Sequence, residues 1–296
     1  MLAAALISNR KKRRMISFRN LSDISNVELL ACFNDSFSDY SIPFKLDLKQ
    51  LEDKLHSEDI DHEISVGAFK ENRLVGFVLH GQRMNHDSLT AYNAGTGVRP
   101  IERGQRLTRK MYDFIKPILN SKGIEKVVLE VISDNIPALK SYESIGFQLA
   151  RDLNCYKAKL NSVVLADDVR VEESDQVSLK EIGEFGDIIP SWQNANKTIS
   201  NLGEQAKYLL AFYKSQLCGY CIINSTNNRI LQLAVKKQFR RRGIGGSLLA
   251  YIRQNISPVT SIINVDSSHE ETIKFFGRYF EKTLMQKEMK LEITSR

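Results

Sequence analysis

Two stretches of this chain spell nearly the same order of elements, and no other feature limits its fold as much. In the first, apolar runs and alternations mark strands at 16–18, 64–69, 74–81, 89–98, 127–132 and 154–160. Helical spacing marks 26–37, 46–55, 104–121 and 136–145, and Gly123 and Gly146 act as stops for the last two. The second stretch offers strands at 169–171, 208–213, 217–224, 230–235, 261–265 and 286–293, with helices at 178–185, 243–256 and 270–276. A repeat of this kind means two copies of one α/β (α+β) architecture of strands and helices. The length of 296 residues suits two domains. The expected division is a disordered basic extension over 1–14, a first domain over 15–160, a linker over 161–168 and a second domain over 169–296. The second copy is shorter, mostly in the early helical region.

The net charge of +7 is concentrated, because Arg10-Lys11-Lys12-Arg13-Arg14 supplies five charges and leaves 7 − 5 = +2 for the rest. That run reads as a solvated arm. Its rivals are a targeting address or a phosphate contact, but no aromatic and basic platform accompanies it, so nucleic acid is not an expected partner. Met15, directly after the run, is a candidate original start. The apolar stretch 2–7 precedes the charges, the reverse of a secretory signal. No run approaches the roughly 18 apolar residues that span a bilayer. A soluble, cytoplasmic protein with no membrane partner is expected. Cys32, Cys155, Cys218 and Cys221 are too few and too scattered for a disulfide framework. Cys218-Gly219-Tyr220-Cys221 falls in an apolar strand, where residues three apart point to opposite faces, and reads as buried thiols.

The chemistry-bearing segment follows the strand at 230–235. Arg240, Arg241, Arg242, Gly243, Ile244, Gly245 and Gly246 lead into a helix with Ser247 in its first turn. Unpaired N–H groups at a helix N-terminus bind anions. Glycine lets a phosphate approach the backbone, and arginine adds charge and donors. Here the sequence resembles the GNAT acetyltransferase superfamily, whose fingerprint Gln/Arg-x-x-Gly-x-Gly/Ala is matched in full by Arg240-x-x-Gly243-x-Gly245. The resemblance implies two tandem domains, each a mixed, mostly antiparallel sheet flanked by helices, and it implies that this loop holds the pyrophosphate of acetyl-CoA, with CoA as product. It also implies that the preceding strand, with Leu233 and Val235, pairs with the pantetheine arm. A dinucleotide fold would need G-x-G-x-x-G after a first strand, and that spacing is absent.

The first copy aligns without a gap. Val98 stands at the place of Val235, Arg103 at Arg240, Gly104 at Arg241, Arg106 at Gly243 and Thr108 at Gly245. This departs from the fingerprint. Either a Cβ at 106 and 108 crowds a phosphate, or these residues keep the helical backbone, so that the N–H groups survive and Arg106 adds charge.

Transfer to an amine needs a base for the nitrogen and an acid for the departing thiolate. In the first copy Glu130 interrupts the apolar strand 127–132, where a carboxylate is costly unless paired or functional. The stretch LEVISDNIPALKSYESIGF resembles the same family as seen in ribosomal-protein alanine acetyltransferases. By that resemblance Glu130 is the general base, Tyr142 the general acid, and Asn135 a cofactor contact or a helix cap. In the second copy Asn264, His269 and Phe276 stand at those places, and Asp266 and His269 remain as possible proton handlers. The better loop and the better acid–base pair thus lie in different copies. The expected activity is transfer of an acetyl group from acetyl-CoA to a primary amine of a small molecule or peptide. The rival is a CoA-binding regulatory or scaffold protein without turnover. Asp39, Tyr40 and Trp192 are candidates to line the acceptor, and no pattern fixes the acceptor or the oligomeric state.

Overall fold

The computed structural model describes residues 15–40, 44–85, 88–160, 163–175, 177–256 and 261–293. The expected extension 1–14 lies outside the described residues, as do 161–162 of the expected linker. The chain forms two compact units. One reaches Ala150 and takes back the chain from Met289 on; the other is Arg151–Glu288. This differs from a division by chain order, because strand pairing decides membership.

In the first unit β1 (Ile16–Asn20), β2 (Val66–Lys70), β3 (Arg73–Asn85), β4 (Ser88–Val98) and β5 (Lys126–Ile132) lie side by side in that order. Neighbours are antiparallel except β4 and β5, which run parallel. On one face α1 (Asn26–Ser36) and α2 (Leu48–Ser57) bury Leu29, Phe33 and Leu51 against Phe69, Phe77 and Leu79. On the other, α3 (Leu107–Ser121) and α4 (Ile136–Ile145) bury Met111, Tyr112, Ile115, Leu139 and Tyr142 against Val66, Val78, Leu129 and Val131. Side chains alternate across a strand, so β3 serves both cores, Phe77 in one and Val78 in the other. The helix starts are locally encoded. Ser25 accepts from the N–H of Glu28 before α1, Asp47 and Gln50 form a capping box before α2, and Asn135 accepts from the N–H of Ala138 before α4.

In the second unit the order is β12 (Phe280–Glu292), β6 (Gln148–Ala158), β11 (Ser261–Asp266), β10 (Arg229–Val235), β9 (Gln216–Asn224), β8 (Ala206–Tyr213) and β7 (Val169–Ser174). Its helices are α5 (Leu179–Gly183), α6 (Asn196–Leu202), α7 (Ile244–Asn255) and α8 (Glu270–Tyr279). β6 pairs antiparallel with β11 and so belongs here, although it closes the first repeat in the sequence. β12 ends in the first unit, where Met289 and Leu291 join the core and the N–H of Ile293 donates to the Glu125 carbonyl at 2.7 Å. Neither α6 nor the 3-10 turn Trp192–Asn194 is legible in the sequence, because 7 residues are too few to show a helical period.

The two thiols of β9 correct one expectation. The register passes from Ala211↔Gly219 to Phe212↔Leu217, a bulge at Cys218, so both Cys218 and Cys221 enter the same core rather than opposite faces. Both are buried and free, and burial raises both thiols, which suits inert packing. Among the described residues no helix is long and apolar enough to cross a membrane, and no cluster has the makings of a metal site.

Candidate active site

The site grows from the point where β4 and β5 part. Their pairing runs from Thr90↔Lys126 to Asn93↔Leu129 and stops there. Against β3, the register of β4 passes from His80↔Asn93 to Leu79↔Gly95, so Ala94 is an inserted residue. Such a bulge bends the strand and re-aims its side chains.

Glu130 is the first residue of β5 beyond the last pair. Its neighbours Leu129 and Val131 point into the core beneath α3 and α4, which puts Glu130 on the opposite face, half-buried. There the buried Tyr92 donates its hydroxyl to Oε2 of Glu130 at 2.5 Å. Tyr142 comes from the other side. It is buried on α4 in the core with Leu129 and Val131, its ring edge-on to Phe147 with centroids 5.5 Å apart. Its hydroxyl lies against Thr96 and Asn93 of β4. Burial pushes this phenol above its ordinary value, and the nearby polar groups of Thr96 and Asn93 oppose the shift. The two acid–base candidates therefore meet the opening from its two faces. Asn135 caps α4, and its amide also donates to the hydroxyl of Tyr40 at 3.2 Å.

The two glycine-bearing loops share one backbone. Arg103 and Arg240 are extended, with φ, ψ of −69°, 169° and −63°, 160°. Gly104 and Arg241 follow with φ of 79° and 65°. Arg106 and Gly243 then start the helices at φ 57° and 79°. The first copy thus keeps the helix start despite its missing glycines, and the side chain of Arg106 is exposed beside it. A left-handed residue with a Cβ costs roughly 1–2 kcal/mol, so each copy strains one arginine.

Arg103 and Arg240 do not present their guanidinium groups to solvent as free donors. Arg103 grips both carboxylate oxygens of Asp39, at 2.6 and 2.9 Å, and the carbonyls of Ser36 and Val98. Arg240 donates to the carbonyls of Val235 and Phe185 and pairs with Asp187. Each ties its loop to the strand before it and to the helical region of its own unit.

What differs is the cover over the helix start. In α7, Ile244, Gly245, Gly246 and Ser247 are all buried. A Cβ on Gly245 would stand 2.8 Å from the Phe275 ring, and one on Gly246 3.2 Å from the Tyr279 hydroxyl. The N–H of Ala166 donates to Oγ of Ser247 at 2.9 Å. In α3 the corresponding Thr108 is half-buried, and Arg109 and Lys110 are exposed. The glycines at 245 and 246 thus make room for Phe275 and Tyr279, while Arg241, Arg242 and Gly243 of the loop before them are exposed. The sequence does not show that Ala166, Phe275 and Tyr279 pack against this helix start.

The opening between β10 and β11 is also filled. Their last pair is Ile230↔Ile262, and the next carbonyl, that of Ile263, receives the Asn194 amide at 2.8 Å. Gln232 holds Asn194 in turn, donating to its carbonyl at 2.7 Å. Leu233 and Val235 are half-buried along this strand, and Val98 is half-buried along β4. Asn264 is buried at φ 57°, Phe276 lies in the core, and Asp266 accepts from Arg151 at 3.2 Å. His269 precedes α8 without capping it through its side chain. Sequence reasoning missed Tyr92, Asn93 and Thr96; the signal available was the polar groups of Thr90, Tyr92, Asn93 and Thr96 within the run 89–98.

A model of the acetyltransferase (GNAT) family matches residues 28–147, and one of the acetyltransferase (GNAT) domain matches 173–289. N-alpha-acetyltransferase 30 of Schizosaccharomyces pombe is 29% identical over 100 residues; the match spans 33% of this chain and 65% of that protein, less than two thirds of its length. Among solved structures, a tandem GNAT protein from the clavulanic acid biosynthesis pathway superposes with a TM-score of 0.70 at 13% identity, over 95% of this chain and 100% of that one. A GCN5-related N-acetyltransferase from Sphaerobacter thermophilus gives 0.68 at 16%, over 95% and 96%. At such identities the likeness is one of fold.

Proposed function

The chain belongs to the acetyltransferase (GNAT) family in both its halves, and on that premise we propose that it moves an acetyl group from acetyl-CoA to a primary amine, with the chemistry in the first unit. The observation that carries this reading is the opening between β4 and β5, which Glu130 and Tyr142 approach from opposite faces. Acetyl-CoA supplies the activated acyl group. The residues of the first unit suit it: the N–H groups of Leu107, Thr108 and Arg109 have no acceptor within α3, Arg106 stands beside them, and Gly104 has open space around it. β4 beyond Asn93 offers backbone groups to a pantetheine arm. At α7 the packing of Phe275 and Tyr279 against Gly245 and Gly246 leaves less room, which favours α3 in this reading.

Glu130 takes the proton that the attacking nitrogen must lose, directly or through one water, while Tyr92 fixes its carboxylate. Tyr142 is protonated at neutral pH, because the ordinary phenol value of 10.0 already lies above it and burial raises it further, and so has a proton for the departing thiolate. The acceptor is a small-molecule amine or a peptide α-amino group; the curated relative is named for the latter. The test is CoA release by the full chain with a panel of amines and N-terminal peptides, beside Glu130→Gln and Tyr142→Phe. Turnover that falls by roughly 10²–10⁴ in both variants is expected. CoA binding without turnover on any amine would favour a regulatory protein instead.

A further inference from the structure

The inserted Ala94 decides which backbone groups β4 turns toward the opening. Backbone directions alternate along a strand, so an extra residue reverses the order beyond it. The N–H of Arg99 donates to the Val75 carbonyl of β3 at 2.9 Å. The pairs Phe77↔Gly97 and Leu79↔Gly95 stand at alternate positions of the same ladder, so Gly95 and Gly97 also face β3 while Thr96 and Val98 face the other way. On that side β5 has already parted at Asn93↔Leu129. The Val98 carbonyl is taken by Nε of Arg103 at 3.2 Å, which leaves the N–H and carbonyl of Thr96 and the N–H of Val98 along the open edge. Carried on from Asn93 without an insertion, the alternation would put Gly95 at that edge and turn Thr96 to β3.

One buried side chain holds this bulge. Oδ1 of Asn93 accepts the N–H of Gly95 at 3.1 Å and the Thr96 hydroxyl at 3.2 Å. Its Nδ2 donates to Oγ1 of Thr96 at 2.8 Å and to the Tyr112 hydroxyl at 2.9 Å. Both donors and both acceptor positions of the amide are thereby used. The bonds to Gly95 and Thr96 close over Ala94, and the bond to Tyr112 ties the bulge to α3. Tyr112 and His80 are fully buried behind it. The Tyr112 oxygen is 3.4 Å from Nε2 of His80, whose Nδ1 is 2.8 Å from the Ile64 carbonyl. A carbonyl only accepts, so Nδ1 carries the ring hydrogen and Nε2 of the neutral ring accepts the Tyr112 proton. A buried network with every member satisfied is stiff.

We infer that Asn93 is a positioning residue for the cofactor: its amide locks the bulge at Ala94, backed by Tyr112 and His80, and so aims the backbone of Thr96 and Val98 at the pantetheine arm of acetyl-CoA. The inference rests on the reading that acetyl-CoA lies along β4 of the first unit. Pantetheine carries secondary amides, which pair with an open strand edge as a further strand would. Asn93 acts through the backbone and touches no part of the cofactor. Its loss frees the N–H of Gly95 and lets the bulge slide, which changes the groups at the edge without touching the helix start that receives the phosphates.

The test is calorimetry on the full chain with two probes, CoA and adenosine 3′,5′-bisphosphate, which lacks the pantetheine arm. Asn93→Ala is expected to weaken CoA about tenfold, the worth of one or two backbone hydrogen bonds, and to leave the bisphosphate unchanged. Asn93→Ser returns most of the CoA affinity, because its hydroxyl oxygen again accepts the N–H of Gly95. Tyr112→Phe repeats the Asn93→Ala effect at smaller size and carries the comparison if Asn93→Ala does not fold. CoA bound by the folded variants as tightly as by the parent, or both probes weakened alike, makes Asn93 a packing residue and overturns this inference alone. CoA bound by Thr108→Glu as by the parent moves the cofactor away from α3, and the reading beneath the inference fails.

Discussion

The Tyr92 hydroxyl and the Glu130 carboxylate meet at 2.5 Å across the last paired residues of β4 and β5. Two residues brought together by parallel pairing of strands that are distant in sequence thereby fix the one carboxylate in an apolar strand. Hydrogen bonds to a charged group contribute about 1.5–3 kcal/mol. Tyr92→Phe is expected to lower kcat/KM for the amine roughly tenfold, since about 1.4 kcal/mol is one decade. Calorimetry should show unchanged CoA affinity, and a matching loss of CoA binding would move Tyr92 to the cofactor side.

One CoA per chain is the second expectation. Thr108→Glu puts a negative charge at the open start of α3 and should abolish binding in calorimetry. Ser247→Ala should leave it intact, while removing the acceptor for the Ala166 N–H and costing about 1–3 kcal/mol of stability in urea unfolding. Two equivalent CoA sites would mean that the cover over α7 opens.

Arg106→Gly should separate stability from affinity. Glycine relieves the left-handed strain and stabilises by about 1 kcal/mol. The same change removes the cation beside the α3 N-terminus and should weaken CoA about tenfold, more at low salt than at high. A tighter site after the substitution would show that the Cβ at 106 crowds the phosphate.

His80 makes the stability of the first unit depend on pH. Its folded value, about 4, lies below the ordinary 6.5, so between these the unfolded chain binds the proton and the folded one does not. The contribution is complete above about 6.5 and is lost as pH falls toward 4, a difference on the order of 3 kcal/mol. Urea unfolding of the parent should therefore weaken from pH 7 to pH 5 more steeply than that of His80→Asn. Parallel slopes would place the histidine outside this linkage.

The sequence by itself determined what is local. The element order, the repeat, the caps at Ser25, Asp47 and Asn135, and the turn-and-helix starts after Val98 and Val235 all follow from neighbours a few residues apart. Glu130 stood out because a carboxylate in an apolar strand needs a reason. Only the tertiary structure decided access. Arg106 and Gly243 start their helices in the same left-handed conformation, yet one start is open and the other lies under Ala166, Phe275 and Tyr279. A glycine that admits a phosphate and a glycine that admits an aromatic ring are the same letter, because both answer to the missing Cβ. Which of the two a glycine serves depends on what packs against it, and those partners come from elsewhere in the chain. The exchange of β6 and the end of β12 between the units was hidden for the same reason, since a strand's sequence states its faces and not its neighbour.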